Sequence, residues 1–157
     1  CLTGAKAALG DVPASIVSCA GATVMAALDT ACPSMDSLKE KRELVVGLGM
    51  LGLLAVEAAL RAGAAVTATD PNSHRRRYAA QLGACISGFS DFDPALDIVE
   101  NFDVALEFSG SPQGVITCLK PLDINGVAVL AGSVADSPAI DLPRMDCPRL
   151  AHCYRRV

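Results

Sequence analysis

From Glu43 onward the chain switches repeatedly between short apolar runs and longer stretches whose apolar residues recur every three or four positions. The first rhythm predicts buried strands and the second helices packed on them. Glu43–Gly47 is a short apolar strand, and LGLLAVEAALRA over Leu51–Ala62 is a helix stopped by Gly63. Ala64–Thr69 is a strand ending at Asp70, and a helix capped by Asn72 or Ser73 runs to Leu82 and stops at Gly83. Ala84–Ser87 is a short strand, Gly88–Pro94 a loop and Ala95–Glu100 at most a short helix. Val104–Phe108 is a strand, Pro112–Leu119 a helix with proline at its start, and Gly126–Ala131 a strand ended by Gly132. Ahead of this series, Pro13–Thr30 has helical spacing at Ile16, Val17, Ala20, Val24, Ala27 and Leu28, and Ala31–Arg42 is a polar connector.

Strand and helix alternating with short connections predicts an α/β fold, a parallel sheet with helices on both faces. Right-handed crossovers make such a sheet doubly wound, here with five to six strands and a preceding helix that carries Cys19.

Composition narrows the function without deciding it. Apolar residues are 52%, charged residues 19%, and the net charge is −4, which argues against a nucleic-acid surface. The basic run His74–Arg77 reads as a solvated helix face. The longest uncharged apolar run, Leu44–Val56, is too short for a membrane span, which takes about twenty residues. The seven cysteines are odd in number and include no CxxC pair. The expectation is therefore a reduced, cytoplasmic protein without a disulfide framework.

The candidate chemistry lies at Gly47-Leu48-Gly49-Met50-Leu51-Gly52, a G-x-G-x-x-G. It opens a helix directly after a strand, the setting a dinucleotide site requires. Gly47 allows the tight turn, Gly49 lets a pyrophosphate approach the backbone, and Gly52 lets the helix pack on the strand. The helix start, with Met50 and Leu51, offers free N–H groups and a positive dipole end. Asp70 ends the next strand eighteen residues after Gly52. A carboxylate there accepts from the adenosine ribose hydroxyls and repels a 2′-phosphate, which favours NAD over NADP. Arg75 is placed to reach the same ribose; with its two Arg neighbours it is also the feature that would favour a 2′-phosphate.

The run VVGLGMLGLLAVEAALRAGAAVTATDPNSHRRRYAAQLGA resembles the cofactor (Rossmann) domain of zinc-type, medium-chain alcohol dehydrogenases. FDVALEFSGSPQGVITCLKPLDINGVAVLAGS and SCAGATVMAALD continue the resemblance, which covers roughly residues 11–142. CAGATVMAALD, GMLGL and ALEFSGSP are most similar to a subgroup associated with phosphonate catabolism. The resemblance implies hydride transfer between NAD and an alcohol or carbonyl substrate. It implies that Cys19 is a ligand of the catalytic zinc and that Thr23, one turn on, packs beside the nicotinamide. It implies cofactor contacts at Phe108, Ser109 and Gly110, and nicotinamide contacts at Ala131, Gly132 and Ser133. It also implies pairing of subunits into a homo-oligomer.

The chain departs from the family at both ends. Residues 1–12 look like the remnant of a preceding domain, 13–142 like the dinucleotide domain, and 143–157 like an irregular tail. On that reading a final strand is missing and the edge beside Gly126–Ala131 is open, which favours self-association. A fragment with one zinc ligand is expected to bind NAD(H) without turning over a substrate on its own. Two alternatives stay open: a zinc-free quinone reductase of the same superfamily, and a non-enzymatic NAD(H)-sensing module. A short-chain dehydrogenase would need Tyr-x-x-x-Lys, and neither Tyr78 nor Tyr154 has it.

Overall fold

The computed structural model describes residues 11–32, 34–87, 101–133 and 150–151. Helix α1 is Asp11–Ala31, followed by a single 3-10 turn at Met35–Leu38 and strand β1, Arg42–Val46. Then come α2 (Met50–Arg61), β2 (Ala65–Thr69), α3 (Ser73–Leu82) and β3 (Cys85–Ile86). The second half holds β4 (Phe102–Glu107), α4 (Pro112–Leu119), β5 (Leu122–Leu130) and β6 (Leu150–Ala151). The loop and short helix expected over 88–100 lie outside the described residues.

All six strands are parallel, in the order β3-β2-β1-β4-β5-β6. The chain works outward from β1 to β3, then returns to lay β4 on the other side of β1. That reversal leaves a crevice at the carboxyl ends of β1 and β4, where doubly wound folds bind ligands. The fold class and the strand count agree with the sequence expectation.

Side-chain alternation along the strands splits the core into two layers. Val45, Val104 and Leu106 point at α1, α2 and α3, while Leu44, Val46, Ala105 and Ala128 point at α4. α1 seats Val24, Ala27 and Leu28 in the first layer, and Ala20 is buried too, so the expected apolar stripe is buried from Ala20 onward. Asn72 caps α3 by accepting from His74 N at 2.9 Å, and Ser111 caps α4 by accepting from Gly114 N at 2.9 Å. At the amino ends, Arg42 donates from its main chain to Asp103 at 2.9 Å and from its guanidinium to Asp123 at 2.7 Å, pinning β1, β4 and β5 together. No helix among the described residues is long and apolar enough to cross a membrane.

One expectation is corrected. Residues 143–157 are not wholly an irregular tail, and the β5 edge is not open along its length. Leu150 and Ala151 pair in parallel with Ala128 and Val129 as β6. There β6 covers two of the nine residues of β5, and the sheet edge passes to β6 itself. β5 also starts earlier than expected, at Leu122, because an irregular register opposite Phe102 and Val104 lets it continue through Asn125.

Candidate functional site

The turn from β1 into α2 carries the three motif glycines, and each has a different environment. Gly47 has φ +89°, a backbone that side chains rarely adopt, and a methyl group there would fall 2.6 Å from Ser109 N. A methyl group on Gly52 would overlap the Gly47 carbonyl. Those two glycines are required by the protein itself. Gly49 is not: a methyl group there meets nothing within 4 Å among the described residues, and its φ of −71° suits any residue. It is the N-cap of α2, with no side chain bonded to the helix start. The first-turn amides, at Met50 and Leu51, therefore face open space with the dipole behind them.

Asp70 follows β2 and is 3% exposed. One carboxylate oxygen accepts from Leu48 N at 2.7 Å and the other from Asn72 N at 2.7 Å. The acid is thereby held against the glycine turn. Arg75 stands 3.5 Å from it with its guanidinium half exposed, and Arg76 instead donates to the Asp70 and Pro71 carbonyls. A cleft opens beside Asp70, lined by Gly47, Thr69, Ser109, Ser111, Gln113 and Thr117. The Thr69 hydroxyl is buried there with no partner among the described residues.

Across the crevice, two turns leave the ends of β4 and β5. Phe108 sends its ring into the core and its N–H to the Val46 carbonyl at 2.8 Å, so it offers the crevice its main chain. Ser109 is exposed, Gly110 half-buried. Ala131 and Gly132 donate to the Glu107 carbonyl at 2.9 and 3.0 Å, and Ser133 is exposed beyond them. The turns touch: a methyl group on Gly110 would fall 2.8 Å from the Ser133 carbonyl oxygen. Glu107 lies beneath both and is fully buried. It is a residue the sequence reading passed over.

Cys19 and Thr23 share an exposed face of α1, one turn apart as expected, and Thr23 donates its hydroxyl to the Cys19 carbonyl at 3.0 Å. No cluster of three His, Cys, Asp or Glu able to hold a metal occurs among the described residues. Cys19 alone does not fit a zinc ion, which needs at least three protein ligands. The remaining predicted residues fall into one region: the Gly47–Gly52 turn, Asp70, Arg75 and both carboxyl-end turns border the crevice.

Comparison with known proteins places this geometry in context. A family profile described as zinc-binding dehydrogenase matches residues 51–154, a span that includes β6. The L-threonine 3-dehydrogenase of Legionella pneumophila (strain Corby) is 32% identical over 105 residues, covering 62% of this chain and 31% of that protein. The chain thus spans about a third of the length of the curated relatives it matches. An acetophenone reductase from Geotrichum candidum NBRC 4597, solved with NAD, superposes with a TM-score of 0.74 at 25% identity, over 94% of this chain and 42% of that one. A protein of Sinorhizobium meliloti 1021 solved with NADP shares the fold, with a TM-score of 0.66 at 22% identity over 78% of this chain and 37% of that one.

Proposed function

We propose, on the premise that this chain belongs to the zinc-binding dehydrogenase family, that it is the dinucleotide-holding portion of an NAD(H)-dependent alcohol dehydrogenase. The observation that carries the reading is Gly49. Among the described residues nothing fills the space that a side chain at Gly49 would take, so that space is open to a group from outside the protein. A pyrophosphate at the Met50 and Leu51 amides is the group that needs that space.

Bound nicotinamide supplies a hydride acceptor or donor. The residues of this chain do the holding. The start of α2 receives the pyrophosphate, and Asp70 accepts from the adenosine ribose. Arg75 borders that ribose while neutralising part of the Asp70 charge. Phe108–Gly110 and Ala131–Ser133 flank the second nucleotide half, with Thr23 on its far side. Cys19 would contribute to a zinc site only together with ligands from outside the described residues. A small alcohol or aldehyde is the proposed substrate of the whole enzyme. This chain alone is expected to bind cofactor without turnover.

NAD is favoured over NADP by Asp70. A 2′-phosphate would meet a buried carboxylate whose oxygens are already fixed by Leu48 and Asn72. Juxtaposed like charges are costly, so NADH is expected to bind at least about tenfold more tightly than NADPH. Fluorescence titration of the purified chain with each cofactor measures this. Equal or tighter NADPH binding would show that the arginines of α3, rather than Asp70, set the preference.

A further inference from the structure

Within the dinucleotide reading, we propose that Glu107 is a positioning residue that fixes the separation of the two turns holding the second nucleotide half.

Glu107 ends β4, fully buried. Its Oε1 accepts from Ser109 N at 2.6 Å, from Gly110 N at 3.0 Å and from the Ser109 hydroxyl. Its own carbonyl accepts from Ala131 N and Gly132 N, at 2.9 and 3.0 Å. One residue thus ties the turn after β4 with its side chain and the turn after β5 with its main chain. The other oxygen, Oε2, is buried with no donor among the described residues and lies against Gly132. Side chains are excluded beside it at positions 132 and 114. A methyl group on Gly132 would overlap Oε2, and one on Gly114 would fall 2.8 Å from Oε1.

A buried carboxylate with one oxygen unsatisfied is expensive to keep, and an apolar residue at that position would avoid the cost. Pure stability does not account for it. What the carboxylate provides is three converging bonds that fix where Ser109 and Gly110 stand relative to Gly132 and Ser133. The Gly47–Gly52 turn and Asp70 bind the adenosine half, so the second half falls between those turns. The adenosine side has its own anchor. Phe108 N donates to the Val46 carbonyl at 2.8 Å whatever residue 107 is.

The test compares NADH with AMP, which uses the adenosine half alone, on the 157-residue chain. Loss of bonds to a charged acceptor predicts that Glu107→Ala weakens NADH about tenfold or more. AMP is expected to lose less, staying within about threefold, because the Gly47–Gly52 turn and Asp70 hold it and, of the pinned Ser109 and Gly110, Ser109 alone lines the cleft beside Asp70. Glu107→Gln keeps an accepting oxygen in the same place and is expected to return NADH to within about threefold of the parent protein. Should Glu107→Ala not fold, as judged by circular dichroism, Glu107→Asp replaces it: one methylene short, it cannot reach Gly110 and is expected to behave like the alanine variant. Equal loss of NADH and AMP, unchanged NADH binding, or no rescue by glutamine would each overturn the proposal. Absence of NADH binding by the parent chain would instead overturn the dinucleotide reading, and this inference with it.

Discussion

Gly49→Ala is expected to remove about 99% of the NADH affinity, a hundredfold loss worth about 2.7 kcal/mol, while leaving the fold intact. The two halves of this result come from the same geometry. Among the described residues, an alanine methyl at position 49 meets nothing within 4 Å, and φ −71° is open to it. Alanine is a poorer N-cap than glycine but stiffens the unfolded chain, two effects of about 0.5–1 kcal/mol that oppose each other. Unfolding stability should therefore move by less than about 1 kcal/mol. The methyl would instead stand where a pyrophosphate must come within contact distance of the backbone. Alanine at Gly47 or Gly52 makes a poor substitute experiment, since both would collide with main-chain atoms and destabilise the fold. Denaturant unfolding and NADH titration of the Gly49 variant separate the two effects. Undiminished NADH binding would leave the vacant space at Gly49 without a function.

The second large effect concerns stability and pH. Glu43 lies in the middle of the sheet, fully buried, and neither carboxylate oxygen has a partner among the described residues. By strand alternation it shares the face of Val45, toward α1 and α2, near the Cys32 thiol. Burial pushes its carboxyl up to about 8 from an ordinary 4.5. The folded state thus holds a proton that the unfolded state releases near pH 4.5. The stabilisation is complete below about pH 4.5, declines as pH rises, and is gone once pH passes about 8. The full span is about 4–5 kcal/mol as an upper bound. Glu43→Met fills a similar volume without a charge, so it is expected to flatten this slope and to raise stability at pH 8 by about 2–4 kcal/mol. Urea unfolding of both proteins at pH 5, 7 and 8.5 measures it. A parent protein whose stability does not fall across that range would show that Glu43 finds a partner in solution.

How much of this was legible in the sequence depended on what each feature obeys. The alternation of strands and helices obeys local periodicity, so β1 through β5 were read within a few residues. The glycine turn and Asp70 were legible because motif spacing is itself local. β6 was not. Leu150 and Ala151 stand among prolines and charges with no alternation, and only the edge of β5 makes them a strand. Glu107 and Glu43 were missed for a related reason. A carboxylate at a strand end reads as solvated, and nothing in VALEF or RELVV reports that helices and glycine turns bury both completely. The one available signal was that each acid interrupts an apolar strand destined for the centre of a parallel sheet. The engagement of Asp70 by Leu48 and Asn72 was likewise invisible, since it depends on how two separate turns meet.

The central claim is that the carboxyl-end crevice of this chain holds a dinucleotide with its pyrophosphate on α2. Titration of the ¹⁵N-labelled chain with NADH, followed amide by amide, tests it most directly. The account predicts saturating shifts at Leu48 through Leu51 and at Gly110 and Gly132, with the α3 residues near Gln81 unmoved. Shifts absent from those amides at saturating NADH, or confined to α3, would contradict it.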